Sequence, residues 1–122
     1  MPVRSSDSSV MRWPGSDEVG AAARAWATEV GGARSDAVRL GLFGSYARGE
    51  WGVGSDLDLI AVVDDCDLPF ERRALSFDLL KLPVPADLLV YTVQEWDRLL
   101  GEGGRFARDA ETESVWLYER EG

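Results

Sequence analysis

The chain has 122 residues, 45% of them apolar, and carries a formal net charge of −9. This is one domain's length with enough apolar material for a small core, and the acidity argues against broad nucleic-acid binding, which needs basic surface. There is no histidine and one cysteine, Cys66. That excludes His-based acid–base chemistry, His-ligated zinc, cysteine metal clusters and an intramolecular disulfide.

Residues 1–16 are polar and Ser-rich, broken by Pro2, Pro14 and Gly15, and are expected to form a flexible arm. No apolar leader-like stretch opens the chain, and no run of about 20 apolar residues could span a bilayer. A cytoplasmic location follows as the expectation. Residues 17–122 are expected to form a single domain. Its first helix starts near Ser16 or Asp17, carries Val19, Ala22, Ala23, Trp26 and Val30 at helical spacing, and ends at Gly31-Gly32.

Val38 to Phe43 reads as a strand, and Leu57 to Val63 as a second, apolar on both faces beyond Asp58 as a central strand would be. Asp64 and Asp65 close it. Asp67 is placed to cap a helix running through Pro69 to about Leu80, and Lys81 to Pro85 is a connection. Ala86 to Tyr91 is the third strand. Thr92-Val93-Gln94-Glu95 forms a capping box for a helix whose apolar side is Val93, Trp96, Leu99 and Leu100, stopped by Gly101. Arg105 to about Ala110 gives one or two further helical turns. Val115 to Tyr118 is a short terminal strand or an extended arm. The sum is a mixed α/β (α+β) domain: a small mixed sheet with helices packed mainly on one face.

The stretch from Gly44 to Leu59 joins the first two strands and concentrates the chemistry. Asp56 and Asp58 stand two apart, so side-chain alternation puts both carboxylates on one face of the second strand. If the third strand lies beside it, Asp87 joins them. Three carboxylates with no nitrogen or sulfur ligand suit hard, oxygen-seeking Mg²⁺ or Mn²⁺. Gly44 lets backbone approach a phosphate closely, Ser45 offers a hydroxyl, and the turn that follows offers free N–H groups at a helix start. Arg48 could reach the same phosphates, or pair with Glu50 or Asp56. Gly52 and Gly54 let the loop bend back so that the turn and the aspartates face one ligand.

Gly44-Ser45, ten residues, then Asp56-Leu57-Asp58 resembles the nucleotidyltransferase superfamily that includes DNA polymerase beta. The wording Gly-Ser-Tyr-Ala-Arg-Gly-Glu with Ser-Asp-Leu-Asp-Leu is similar to the minimal nucleotidyltransferases (MNT), the antitoxin halves of MNT–HEPN toxin–antitoxin pairs. The resemblance covers about residues 17–118 and implies a nucleotidyltransferase fold and a two-metal enzyme using ATP and two Mg²⁺ ions. It further implies transfer of AMP to a tyrosine of a HEPN-domain ribonuclease toxin. By position, Asp56, Asp58 and Asp87 would be catalytic metal ligands, with Asp87 helping to activate the attacking hydroxyl. Gly44, Ser45, Arg48 and Ser55 would hold the nucleotide. The domain has no room of its own for an RNA or drug acceptor, which favours a macromolecular partner. Trp51 either stacks on the base or packs on the sheet, and Trp116 either meets a partner or packs in the core. Two other readings stand beside the first: an antitoxin acting by binding and occlusion alone, and nucleotidyl transfer to a small molecule or tRNA end.

Overall fold

The computed structural model describes residues 16–44, 47, 56–103 and 105–120. Helix α1 (Ser16–Ala33) leads into strand β1 (Ala37–Phe43), followed after the Gly44 turn by β2 (Leu57–Val63). A short helix α2 (Phe70–Arg73) and a 3₁₀ turn (Ala74–Ser76) precede β3 (Ala86–Thr92). Helices α3 (Val93–Gly101) and α4 (Arg105–Glu113) then lead to β4 (Val115–Glu119). The four strands form one mixed sheet in the order β3-β2-β1-β4. β1 is antiparallel to both β2 and β4, and β2 is parallel to β3. The expected class and central strand hold, and the terminal segment pairs with β1 as a true strand.

Alternation along β2 divides the core. Leu57, Leu59, Ala61 and Val63 face α1, where they meet Val19, Ala23, Trp26 and Ala27, with Phe77, Leu82 and Val84 closing the layer. Ile60 and Val62 face the other way, into a smaller cluster with Trp96 of α3 and Ala110 of α4. Val93 and Leu100 pack on that cluster, as the amphipathic pattern of α3 requires. Both sheet faces therefore carry helices, but the second cover is short and leaves the starts of β2 and β3 accessible. The predicted capping box is present: the Thr92 side chain accepts from the Glu95 backbone N–H, and the Glu95 carboxylate accepts from the Thr92 N–H.

Four boundaries differ from the sequence expectation. α1 continues through Gly31-Gly32 to Ala33. Gly31 serves packing rather than termination, because a Cβ there would lie 2.5 Å from the Tyr118 ring. The helix expected to reach Leu80 ends at Ser76, and Phe77 turns extended and buries its ring. The carbonyls that would have continued the helix are taken by distant donors: Ser76 O by the Arg34 guanidinium and Asp78 O by the Trp26 indole N–H. Nor does Asp67 cap this helix: its N-cap is Pro69, with no side-chain cap hydrogen bond. α4 runs on past Ala110 to Glu113. Asp64 does close β2, through a two-pronged ion pair with Arg120 that holds its carboxyl below the usual range.

Trp26 is buried in the core as expected. Trp116 is half-buried and packed, with the Arg39 guanidinium 3.7 Å over its ring and Trp96 edge-on at 6.3 Å. Cys66 is a free, half-buried thiol. Among the described residues no helix is long and apolar enough to cross a membrane. Of the arm expected over residues 1–16, Ser16 instead opens α1, and residues 1–15 lie outside the described residues.

Candidate active site

Three chain directions meet at one end of the sheet: β1 leaves, and β2 and β3 enter. Phe43, the last residue of β1, is the cross-strand partner of Asp58. Asp58 is in turn the parallel partner of Asp87 on β3. Neighbouring strands lie about 4.8 Å apart, and directly partnered residues share a face. The Asp58 and Asp87 side chains therefore stand side by side on the face opposite α1, as the same-face reading of Asp87 requires. Asp56 sits exposed immediately before β2. A cleft of 450 Å³ runs past the strand ends, lined by Phe43, Asp58, Ala74, Leu79, Ala86, Asp87, Leu88 and Leu89.

Gly44 makes the turn that closes this end. Its φ is +76°, in the left-handed region that favours glycine. A Cβ at this position would lie 3.1 Å from Asp58 Cγ, and closer still to Oδ2. The turn backbone is thus folded directly onto the carboxylate that the sequence singles out. Only a residue without a side chain can carry the chain past it.

The donor set is all oxygen, which fits a hard divalent cation. Asp58 and Asp87 are paired, with Asp56 at the strand's entrance. Among the described residues no three acidic or thiol groups are gathered into a ready cage. Like charges on directly partnered positions repel, and a cation between them would oppose that repulsion. Ser45, Arg48, Ser55 and Trp51 lie outside the described residues.

Two ion-pair networks brace the strands that carry the site. At the far end of β3, the buried Arg73 donates to both Glu95 oxygens at 2.6 and 3.1 Å and to Val90 O at 3.1 Å. This pins α2 and the start of α3 to β3. The Arg73 guanidinium holds the Glu95 carboxyl at about 2, helped by the Thr92 N–H. On the other side, Glu111 of α4 accepts from Arg39 of β1 at 3.0 Å and from the Trp96 indole at 2.9 Å. Those bonds hold its carboxyl below the usual range, Arg39 first, and fix α4 over the sheet beside Gly44.

That placement creates a second cleft, of 270 Å³, on the α4 side of the Gly44 turn, lined by Phe43, Gly44, Phe106, Asp109, Ala110, Glu113 and Ser114. The sequence reading assigned these α4 residues no role. The signal was present: positions 106, 109, 110 and 113 recur at one-face helical spacing.

The sequence profile of the nucleotidyltransferase domain family matches residues 29–116, a span that includes Gly44, Asp56, Asp58 and Asp87. The fold is similar to a solved protein from Sulfolobus solfataricus provisionally assigned as a nucleotidyltransferase. Its TM-score is 0.62 at 20% identity, over 86% of this chain and 84% of that one. No curated protein matches the chain. The structural likeness speaks for the fold, and the profile match, spanning more than half the sequence, speaks for the family. This chain belongs to the nucleotidyltransferase domain family.

Proposed function

We propose that this protein is a Mg²⁺-dependent nucleotidyltransferase that moves AMP from ATP onto a tyrosine of a HEPN-domain ribonuclease, acting as the antitoxin of a type VII MNT–HEPN pair. The observation that carries the reading is the register Phe43–Asp58–Asp87 under the Gly44 turn. It puts two carboxylates on one face, beside a backbone with no Cβ in the way.

In this reading Asp56, Asp58 and Asp87 hold the metal. Two Mg²⁺ ions, when bound, supply charge neutralisation for the triphosphate and the leaving pyrophosphate. The chain's own residues do the positioning. Gly44 lets its turn approach the phosphates, with Ser45, Arg48 and Ser55 assigned to the same task by motif. Asp87, at the start of β3 and exposed, faces the acceptor and takes up the proton of the attacking hydroxyl. The acceptor oxygen bonds to the α-phosphorus, the α–β anhydride bond breaks, and pyrophosphate leaves. Such transfers ask a protein mainly for positioning and electrostatics, which two paired carboxylates and a close-approach turn can give.

The test is incubation of the protein with α-labelled ATP, Mg²⁺ and the HEPN-type partner, beside an Asp56→Ala, Asp58→Ala variant. Label on a partner tyrosine, lost in the variant, supports the proposal. Silencing of the ribonuclease by both versions without label would show occlusion alone and sink it. Label on a tRNA end or a small molecule instead would overturn the protein acceptor.

A further inference from the structure

The 270 Å³ cleft against α4 shares two residues with the acidic end of the sheet. Phe43 lines both clefts and is the cross-strand partner of Asp58, and Gly44 is folded against the Asp58 carboxylate. A group lodged there sits one residue from the site. Its walls have a defined chemistry. Phe43 and Phe106 meet edge to face, with centroids 6.0 Å apart, and Phe106 is 44% exposed. Glu113 makes no ion pair among the described residues, and Asp109 shares its charge with the highly exposed Arg105 at 3.5 Å. The Ser114 hydroxyl is buried, with no hydrogen-bond partner among the described residues.

This lining repels phosphate, since two carboxylates stand where an anion would need donors. It suits the opposite charge. A guanidinium or ammonium can lie against an aromatic ring while its N–H groups donate to Glu113, Asp109 and the Ser114 oxygen. We infer that the cleft between Phe43, Phe106 and Glu113 is an acceptor-recognition site that takes a basic side chain, of the arginine type, flanking the hydroxyl to be modified. The inference deepens the nucleotidyl-transfer reading and rests on it for the word acceptor; the binding of a guanidinium does not.

The braces place the cleft for this task. Glu111, held by Arg39 and Trp96, fixes α4, and Glu113 is two residues further on. The overall charge of −9 draws basic segments toward the surface, and the cleft would give one of them a fixed register against Asp58 and Asp87.

Two arms test it on the full chain. In the first, argininamide is titrated against the ¹⁵N-labelled protein, with citrullinamide as its uncharged counterpart. The inference expects shifts at the amides of Gly44, Ala110 and Ser114, absent with citrullinamide and weakened roughly five- to tenfold by Phe106→Ala or Glu113→Gln. Shifts scattered over the acidic surface and unchanged in both variants would overturn it, as would no binding. In the second, AMP transfer is followed to tyrosine peptides flanked by arginine or by citrulline. A raised KM for the citrulline peptide, at unchanged kcat, supports the inference. Equal KM values with active transfer overturn the cleft while leaving the enzyme reading intact. Argininamide binding in the cleft with no transfer to any acceptor sinks the enzyme reading and leaves the cleft as a guanidinium site.

Discussion

Substituting Gly44 by alanine should separate backbone strain from site geometry. Gly44 has φ +76° and Gly103 has φ +71°, so alanine at either meets the same left-handed penalty, about 1–2 kcal/mol. They differ in their surroundings. A Cβ at Gly103 meets nothing within 4 Å, whereas at Gly44 it lies 3.1 Å from Asp58 Cγ and 3.3 Å from Asp58 Cβ. The carboxylate must then leave its rotamer, adding about 0.5–1.5 kcal/mol, or the Phe43–Asp58 pairing must open. Gly44→Ala is therefore expected to destabilise by about 2–3 kcal/mol and Gly103→Ala by about 1–2 kcal/mol.

The functional consequence is larger, because a reacting group displaced by an ångström loses on the order of 100-fold in rate. Gly103→Ala should leave turnover unchanged. Urea denaturation measures the first quantity and AMP transfer the second. A cycle with Asp58→Ala isolates the contact: without the carboxylate, the extra cost of Gly44→Ala should shrink to roughly that of Gly103→Ala. If the two glycine variants cost the same in the wild-type background, and Gly44→Ala keeps full transfer activity, the reasoning fails. The turn would then not be folded onto Asp58.

On the role proposed for Asp87, Asp87→Asn should lower transfer on the order of 10²–10⁴-fold, while metal-free stability should stay level or rise by at most about 0.5 kcal/mol, since one of two like charges on partnered strand positions is removed; thermal melts in EDTA check the second part. Glu95, at about 2 in the folded protein against 4.5 for an ordinary carboxyl, contributes stability that is fully present above about pH 4.5 and is lost as the pH falls toward 2. The full displacement corresponds to about 3 kcal/mol, and since 37% of the side chain is exposed, solvent screening reduces this to about 1–2 kcal/mol. Glu95→Gln should lose that amount at pH 7 and the gap to wild type should narrow at pH 3, measured by urea midpoints; an unchanged gap would count against the Arg73 pairing. In α1, Gly32→Ala should stabilise by about 0.5–1 kcal/mol, since a Cβ there meets nothing, whereas Gly31→Ala must push the Tyr118 ring aside and should destabilise.

The strands, the capping box and the terminal pairing were legible because each is written in local pattern. Alternation marks β2 and β3, and Thr92 with Glu95 marks the start of α3. Two of the errors share one cause, which is a distant group overriding a local rule. Gly31-Gly32 looks like a stop, yet Tyr118 needs a helix surface without side chains there. The stretch to Leu80 looks helical, yet Arg34 and Trp26 take its carbonyls. Asp56, Asp58 and Asp87 were singled out from residue type and spacing, and the register of β2 and β3 puts Asp58 beside Asp87; the contact of Gly44 with Asp58 was not legible, since a positive φ and a cross-strand neighbour are both three-dimensional facts. The one-face spacing of α4 was legible, but its cleft was not, because the facing wall is built from Phe43 and Gly44. Phe43 and Phe106 are far apart in the chain, and α4 is brought across by Ala110 packing on Ile60 and Val62 and by Glu111 accepting from Arg39 and Trp96.

The acidic pair inherits its geometry from the core. In a sheet the side-chain period is two, so slipping β3 by one residue against β2 would turn Asp87 toward α1 and bring Leu88 and Val90 out of the core. Those two residues are buried together with Leu57, Leu59, Ala61 and Val63, and burying an aliphatic side chain is worth about 1.5–3 kcal/mol. The repulsion between Asp58 and Asp87 opposes the observed register, but a like-charge pair across partnered strand positions costs at most about 1 kcal/mol. The core term exceeds it severalfold. Two carboxylates can therefore be held side by side before any cation arrives, because apolar residues on the opposite face of the same strands fix the register. A Val90→Asn substitution, at a buried position that lines neither cleft, would weaken the force that holds Asp87 in place.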